Sequence, residues 1–221
     1  MYKFFCNKKE DNHFVLNHEL QMHFKVARIK NEEFLINYQN EFYKCIYIFP
    51  DRALILEKTN IDNEYPFKIY VALPLIKQSN FEIALQKITE LGVSEIYPFV
   101  SQYTDKTNLK ILDKKERYLK IIKEAAQQSF RNKIPILHEL KSFDEIISLP
   151  IDNKFLAYEK VKNLPLTDIQ KDILFIVGPE GGFNLLEIKK AKEKNVKIVS
   201  LTKSILRAET AIIYMLSRLK I

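Results

Sequence analysis

The sequence is short of several features that would define a protein class. It has two cysteines, Cys6 and Cys45, without metal-binding or redox spacing, so we expect reduced core residues in a cytosolic protein. No apolar run approaches the length of a transmembrane helix. Residues 1–14 lack the apolar segment of a secretory signal. These absences predict a cytoplasmic protein without a membrane partner.

The histidines form no metal-binding pattern either. His18 and His23 are five positions apart, whereas ligands on one face of a helix lie three or four apart. His13 and His138 are isolated in the sequence. We therefore expect no metal ion.

Positive charge dominates the later part of the chain. The formal net charge is +7. Residues 1–66 hold 9 basic and 10 acidic side chains (net −1), and residues 67–221 hold 26 and 18 (net +8). Residues 103–133 are the most basic, with nine basic and four acidic side chains. This density fits an RNA-facing surface or an ordinary solvated helix face equally well.

Glycine is scarce, and its placement is informative. Of the four glycines, three fall at Gly178, Gly181 and Gly182, directly after the apolar run 173–177. Asn184 and Glu187 then have the spacing of a capping box, which predicts a helix start. A buried strand, a glycine turn and a helix start form the crevice in which open α/β sheets bind ligands. Neither G-x-x-x-x-G-K-[ST] nor G-x-G-x-x-G is present, which disfavours a nucleotide-binding enzyme; a ligand-free tight turn is the simpler alternative.

Two regions are predicted from the secondary-structure pattern. Residues 1–66 are expected to form a small β-rich domain ending in the polar segment 60–66. Its predicted elements are strands at 2–6, 33–38, 42–49 and 53–57 and a helix at 17–27 capped by Asn17.

From residue 67 to 221, strands and helices alternate, which predicts a mostly parallel sheet with helices on both faces. The predicted strands are residues 69–73, 95–100, 134–140, 154–158, 173–177 and 197–201. Capping boxes at Ser79/Glu82 and Ser142/Glu145 predict two helix starts, and Gly92 is expected to stop the first of these helices. Further helices are predicted at 112–130 and 209–219. The last is apolar nearly all round, so it must be buried in its own core or against another subunit.

Four ordered segments carry a resemblance to a known family. They are Leu-Gln-Lys-Ile-Thr-Glu-Leu-Gly-Val at 85–93, Lys-Glu-Ala-Ala-Gln-Gln-Ser-Phe-Arg at 123–131, Gly-Pro-Glu-Gly-Gly-Phe at 178–183 and Ile-Leu-Arg-Ala-Glu-Thr-Ala at 205–211. Together they resemble the RsmE family of 16S rRNA uridine-N3 methyltransferases, within the SPOUT superfamily. Residues 4–5 and 23–28 resemble, more weakly, the family's PUA-like β-barrel.

The resemblance implies a fold, a cofactor and partners. The fold is a small PUA-like β-barrel domain (1–66) followed by a SPOUT-type α/β domain (67–221) with a trefoil knot. The cofactor is S-adenosylmethionine, and the substrate is 16S rRNA or the small ribosomal subunit. The resemblance also implies a homodimer with each active site near the subunit interface.

The resemblance also implies site residues. Arg207 is expected to handle charge on the uracil or its phosphate, because its guanidinium stays protonated; an ion pair with Glu209 or Glu180 is its alternative role. RNA contacts are expected at Arg28, Lys87, Gln128 and Arg131, the last two because they lie on the basic segment 103–133. The expected cofactor contacts are Leu174, Val177, Gly178, Pro179, Glu180, Gly181, Gly182, Leu201, Ser204, Ile205 and Leu206. Glu180 is alternatively a brace for the turn, accepting backbone N–H bonds.

Three departures from the family pattern bear on function. Thr202-Lys203-Ser204 replaces the usual Gly-x-Arg, Asn31-Glu32 replaces a Gly-Asp turn, and the first domain is not net basic. Two alternatives to 16S rRNA uridine-N3 methylation stay open. The first is a SPOUT enzyme for another RNA base, which the segments 90–93 and 127–131 argue against. The second is an RNA-binding or ribosome-assembly protein that has lost the chemistry, and its sequence support is the change at Thr202 and Ser204. Only the second would lack cofactor binding.

Overall fold

The computed structural model describes residues 1–161 and 171–219 and divides into two compact units. The first unit contains residues 1–64 and 126–133, and the second contains residues 65–125 and those from 134 onwards. The main division thus falls two residues before the boundary that the polar segment 60–66 indicates. The membership of residues 126–133 in the first unit has no counterpart in the sequence pattern.

The first unit is built on a six-stranded sheet in the order β1-β4-β5-β6-β3-β2. Strands β1 and β4 pair in parallel and the other neighbours are antiparallel. The strands are β1 (Lys3–Phe5), β2 (Lys9–Glu10), β3 (His13–Val15), β4 (Phe34–Tyr38), β5 (Glu41–Ile48) and β6 (Arg52–Lys58). The four predicted strands are confirmed, whereas β2 and β3 are too short to show alternation in the sequence.

One helix, α1 (His18–Ala27), packs against this sheet, and its predicted cap is confirmed: the Asn17 side chain accepts a bond from the N–H of Leu20. Aromatic residues dominate the core, with Phe24 in edge contact with Phe34, 4.8 Å between ring centroids. Both cysteines are free and buried. Burial raises the pKa of the Cys45 thiol to about 12, so this thiol stays protonated and unreactive at neutral pH.

Residues 126–133 are bound into the first unit by buried polar groups. Arg131 is 3% exposed and forms two hydrogen bonds to Glu64, with Nη2–Oε2 at 2.6 Å. The Asn132 amide donates to the carbonyls of Asn40 and Ile61 at 3.0 and 2.9 Å. These bonds satisfy the buried polar atoms and fix the segment in place.

The second unit is built on a parallel sheet in the order β10-β8-β7-β12-β11-β13, with the short β9 beside β8. The strands are β7 (Ile69–Pro74), β8 (Glu95–Val100), β9 (Ile136–Leu137), β10 (Lys141–Ser142), β11 (Asn153–Ala157), β12 (Ile173–Ile176) and β13 (Lys197–Val199). The predicted parallel sheet is confirmed. The strand predicted at 134–140 is reduced to β9.

Helices cover both faces of this sheet, as the alternation predicts. They are α2 (Gln78–Glu90), α3 (Lys115–Gln128), α4 (Phe143–Ile147), α5 (Leu185–Glu193) and α6 (Ala208–Leu216), with a 3₁₀ helix at Lys106–Lys114. Residues of α2, α3 and α6 share one core with Val71 and Phe175, while residues of α4 and α5 share the other with Ala72 and Leu174. The apolar α6 therefore buries one side in the core of its own chain.

The predicted helix caps have mixed outcomes. The capping boxes at Ser142 and Asn184 are confirmed, and Gly92 follows α2 with φ +93. The capping box at Ser79 is wrong: α2 begins at Gln78 after Lys77, which makes no side-chain cap. Glu82 is instead held by Arg117, with Nε–Oε1 at 2.7 Å. The Glu82 carboxylate, which the predicted capping box required, forms an ion pair with Arg117 of α3 instead.

Within residues 1–161 and 171–219, no helix is both long enough and apolar enough to cross a bilayer.

Candidate functional site

The glycine turn, residues 178–182, follows the carboxyl end of β12, which lies between β7 and β11 in the sheet. All four residues of β12 are buried, and the chain then turns through residues 178–182. The N–H of Gly182 donates to the carbonyl of Pro179 at 2.8 Å and closes the turn. The Asn184 capping box then starts α5, with Glu187 accepting the N–H of Asn184 at 2.9 Å. The turn is thus held at both ends by local bonds, and the capping box is the one that the sequence predicts.

The three glycines of this turn are required for different reasons. A Cβ on Gly181 would lie 2.7 Å from the Cβ of Tyr103, closer than real Cβ contacts. A Cβ on Gly178 would lie 3.0 Å from the Phe183 ring. Gly182 has φ +68, and a Cβ placed there would meet nothing within 4 Å. Gly178 and Gly181 therefore allow close packing, whereas Gly182 allows the left-handed backbone beside open space.

A second segment, residues 200–207, joins β13 to α6 and faces the same region. The hydroxyl of Thr202 donates to the carbonyl of Ser204 at 2.6 Å, so a side-chain bond shapes the turn where the family pattern has glycine. Within the described part of the chain, the backbone N–H groups of residues 201–206 have no hydrogen-bond partner. Ile205 is 83% exposed. The segment therefore presents free donors and apolar side chains.

The sheet topology brings these two segments together. Strands β7, β12, β11 and β13 are parallel neighbours, so the loops that follow them leave from the same edge. The chain places β8 on one side of β7 and β12 on the other, which is the switch point where open α/β sheets bind ligands. A cavity of about 630 Å³ lies there. It is lined by Lys77, Asn80, Ala157, Tyr158, Glu159, Val177, Gly178, Pro179, Glu180, Gly181, Gly182, Phe183, Ser200, Leu201, Thr202, Ser204, Ile205, Leu206, Arg207, Ala208, Glu209 and Ala211.

The cavity contains Arg207 and every predicted cofactor-contacting residue except Leu174. Leu174 is 0% exposed within β12 and packs in the core between the sheet and the helices α4 and α5. Its expected cofactor contact is therefore not supported, because the residues of this segment that line the cavity lie beyond the strand end.

The sequence did not single out the lining residues that come from β7 and β11. Lys77 follows β7, and residues 157–159 end and follow β11. No motif marks these positions. Strand ends were predicted near them, but only the strand order shows that they meet the glycine turn.

Charged side chains of both signs line the cavity. Glu180 is exposed and accepts the N–H of Lys77 at 3.3 Å, the bracing role considered for it. Arg207 is exposed and precedes α6, and its guanidinium has no hydrogen bond or ion pair among the described residues. Its alternative role, an ion pair with Glu180 or Glu209, is thus not seen in that part of the chain.

The four predicted RNA contacts lie outside the cavity lining. Arg28 is exposed at the end of α1, in the left-handed conformation with φ 56. Gln128 is also exposed, whereas Lys87 is half-buried and paired with Glu90 at 2.9 Å. Arg131 is buried in its pair with Glu64, which gives it a structural role instead.

The donor set fits the expected cofactor. S-adenosylmethionine combines a flat adenine base, a ribose with two hydroxyl groups, a carboxylate and two cationic groups, the ammonium and the sulfonium. The lining offers apolar side chains such as Leu201 and Leu206, free backbone N–H groups and carboxylates at Glu159, Glu180 and Glu209. The volume is within the range of small-molecule sites. No group of three or more His, Cys, Asp or Glu side chains in the described ranges is placed to hold a metal ion.

Comparisons with known sequences identify the family to which the chain is similar. The sequence profile of the RNA methyltransferase domain family matches residues 63–220. Ribosomal RNA small subunit methyltransferase E of Mesomycoplasma hyopneumoniae is 38% identical, over 99% of this chain and 98% of the relative. The protein of the same name in Bacillus subtilis is 35% identical, over 75% of this chain and 70% of the relative.

The fold also matches a solved structure. The crystal structure of ribosomal RNA small subunit methyltransferase E from Neisseria gonorrhoeae, bound to S-adenosyl methionine, has a TM-score of 0.88 at 26% identity and covers 98% of this chain and 95% of its own. The chain belongs to the ribosomal RNA small subunit methyltransferase E family of RNA methyltransferases.

Proposed function

We propose that this protein transfers the methyl group of S-adenosylmethionine to N3 of a uridine in 16S rRNA. The observation that carries the proposal is the cavity at the carboxyl edge of the parallel sheet, walled by the glycine turn 178–182 and the segment 200–208. Family membership supplies the reaction class and the RNA substrate.

Backbone groups hold the cofactor in this proposal. The free N–H groups of residues 201–206 donate to its polar atoms, and Leu201 and Leu206 cover its apolar part. The open space beside Gly182 accommodates a ligand close to the main chain. When bound, the cofactor supplies an electrophilic methyl group on a sulfonium. The chain's contribution is to align that group with the uracil and to exclude water.

Arg207 stabilises negative charge on the substrate. Transfer of the N3 proton to a base or to solvent leaves an anionic uracil, and a guanidinium at the cavity wall lowers the energy of that anion. Arg207 is exposed and unpaired among the described residues, so it has the freedom to contact RNA.

We also propose that the second unit has the trefoil knot of the SPOUT superfamily. Strand β13 pairs with β11 and lies at the sheet edge, yet α6, which follows it, packs against α2 and β12. A chain that returns in this way across the carboxyl ends of β11 and β12 follows the kind of path a trefoil knot requires.

The first unit is proposed to be a PUA-like RNA-binding domain. Its six-stranded sheet with one helix supports this, and Arg28 and Gln128 are its candidate RNA contacts. Lys87 is the corresponding candidate on α2. The protein acts in the cytoplasm, where small subunits are assembled.

The functional form is proposed to be a homodimer formed through α2 and α6. These helices pack against each other, and apolar side chains remain accessible on both: Ile83 is 47% exposed, and Ile213 and Tyr214 are half-buried. Partly exposed apolar side chains on a helix pair suit a two-fold interface.

Mass spectrometry of 16S rRNA tests the proposed reaction. Cells lacking this protein should lose one 3-methyluridine, and the wild-type gene should restore it. The Arg207→Ala variant, expressed equally, is the matched control and should not restore it. Loss of a different methylated base would indicate another RNA substrate. Unchanged rRNA together with no cofactor binding would instead indicate an RNA-binding protein without the chemistry.

A further inference from the structure

A second cavity lies beside the cofactor cavity in the same unit. Its volume is about 590 Å³, and it is formed where β8 and β10 end and α5 begins. The two cavities are lined by consecutive parts of one segment: Gly181–Phe183 line the first, and Asn184, Leu186 and Glu187 line the second. We propose that this second cavity binds the nucleotide next to the target uridine, with Tyr103 as a stacking platform beside its rim. The proposal rests on the proposed function.

Tyr103 borders both cavities, although its side chain is in the lining of neither. Its Cβ is the atom that a Cβ on Gly181 would meet at 2.7 Å, so it borders the glycine turn of the cofactor cavity. Its chain neighbours Gln102 and Thr104 line the second cavity. The side chain is 51% exposed and has no hydrogen-bond or ring partner among the described residues. An accessible aromatic ring at this position is suited to stack on an unpaired base.

The lining of the second cavity matches the rest of a nucleotide. Leu109 and Leu186 are 41% and 70% exposed, which gives apolar surface for a base or ribose. Lys106 is exposed and has no partner in the described part of the chain, so its ammonium group is available for a phosphate.

The acidic groups of this cavity do not oppose a phosphate. The Glu187 carboxylate is buried and accepts the backbone N–H groups of Gln102 and Asn184, both at 2.9 Å. Asp144 is paired with Lys190 at 2.7 Å. With both carboxylates engaged, Lys106 is the charged group of this lining that has no partner among residues 1–161 and 171–219.

Binding of a 16S rRNA fragment that the wild-type protein methylates tests the proposal. Tyr103→Ala keeps the Cβ that borders Gly181 and removes only the ring. It should weaken RNA binding by roughly 5- to 150-fold, the range of one lost base–aromatic stack. Tyr103→Phe should bind as the wild type does, and S-adenosylmethionine affinity measured by calorimetry should be unchanged in both variants.

Two separate lysine variants provide a second test of the proposal. Lys106→Gln should weaken RNA binding and lower the salt dependence of the binding constant by the equivalent of about one phosphate contact. Lys110→Gln is the matched control, because Lys110 lies in the same 3₁₀ helix, is exposed and does not line the cavity. It should change affinity less than about twofold.

Three outcomes would overturn the proposal. RNA affinity of Tyr103→Ala equal to wild type would remove the stacking platform. A halved mass of that variant in sedimentation would assign Tyr103 to a subunit interface. Equal effects of the two lysine variants would show that RNA responds to the general positive charge of this helix and not to a phosphate site at Lys106. A wild-type protein that binds no cofactor and methylates no rRNA would instead overturn the proposed function, which separates the two failures.

Discussion

Gly181 and Gly182 are adjacent, but substitution should affect them differently. A Cβ on Gly181 meets Tyr103 at 2.7 Å, so Gly181→Ala must displace either the turn or the tyrosine. Local strain of this kind costs about 1–3 kcal/mol. We expect cofactor affinity, measured by calorimetry, to fall about tenfold or more.

Gly182→Asn should act on the ligand and not on the packing. Gly182 has φ +68 with free space where a Cβ would be, and asparagine tolerates that backbone region better than other residues. The variant should cost about 1 kcal/mol of stability at most. Its side chain would enter the space proposed for the ligand, so cofactor affinity should fall while the fold is kept. Wild-type cofactor affinity of Gly181→Ala would show that packing at Gly181 is not what shapes the site.

Arg207 should be required for methyl transfer and not for folding. It precedes α6 without making a side-chain cap, and it has no ion pair among the described residues, so Arg207→Ala removes no stabilising contact seen there. Loss of one charge-stabilising group typically lowers turnover about 10²–10³-fold. Single-turnover methylation should show this loss while the thermal midpoint and cofactor affinity stay constant. If Arg207→Ala turned over at the wild-type rate, Arg207 would have no part in the mechanism.

At the scale of elements, the two arginines of the segment around α3 make contrasting ion pairs. Arg131 is 3% exposed and pairs with Glu64, whereas Arg117 is 61% exposed and pairs with Glu82. Removing one partner of a buried pair leaves an uncompensated charge and costs about 3–5 kcal/mol. Arg131→Met should therefore lower the free energy of unfolding in urea far more than Arg117→Met. Equal losses would show that burial of the Arg131 pair is not what holds residues 126–133.

The Arg117–Glu82 pair also predicts a pH dependence. Hydrogen bonds from Arg117 lower the pKa of the Glu82 carboxylate from 4.5 to about 2. A carboxylate with a lowered folded-state pKa stabilises the fold above its unfolded pKa, and this contribution is lost as the pH falls toward the folded value. The stability difference between wild type and Arg117→Met should thus be larger at about pH 6 than at about pH 3. A difference that did not change with pH would exclude this linkage.

Local signals in the sequence predicted local structure well. Asn17, Ser142 and Asn184 cap helices as their spacing indicates, because a cap depends only on residues within one turn. The Ser79 box fails because Glu82 is held by Arg117, 35 residues away. Arg131 was expected to contact RNA because it lies on the basic segment, and nothing in the sequence indicates its partner Glu64, 67 residues away. The hydrophobic periodicity of a sequence contains no information on ion pairs between residues that lie so far apart in the chain.

The candidate site was predictable where it is continuous in sequence. Residues 177–182 and 204–207 were identified from the glycine turn and the family motifs, and they line one cavity. Lys77 and Glu159 were not identified, because their place in the cavity depends on β7 and β11 being the neighbours of β12. Strand order is a property of the whole sheet, and a single sequence does not reveal it.

For the whole molecule, a dimer of about twice 26.1 kDa is expected in sedimentation experiments. Ile83→Glu introduces a charge on the partly exposed face of α2 and should give a monomer. Val26→Glu, on the 79% exposed face of α1, is the control and should leave the mass unchanged. A monomeric wild type would contradict the proposed dimer, and a dimeric Ile83→Glu variant would place its interface elsewhere.

The charge of the whole chain predicts that added salt weakens RNA binding much more than cofactor binding. The net charge is +7, and residues 67–221 hold a net +8 against −1 for residues 1–66. RNA binding releases counterions from each neutralised phosphate, so its binding constant should fall linearly on a logarithmic scale, by a slope of about 0.7 per phosphate for single strands. In the proposed site the cofactor contacts backbone donors, apolar side chains and a few carboxylates inside one cavity, so its binding constant should change far less with salt. Parallel titrations across a salt series, by anisotropy for RNA and calorimetry for the cofactor, measure both. If RNA binding were as insensitive to salt as cofactor binding, the basic surface would have no part in recognition, and stacking and shape would have to account for the affinity.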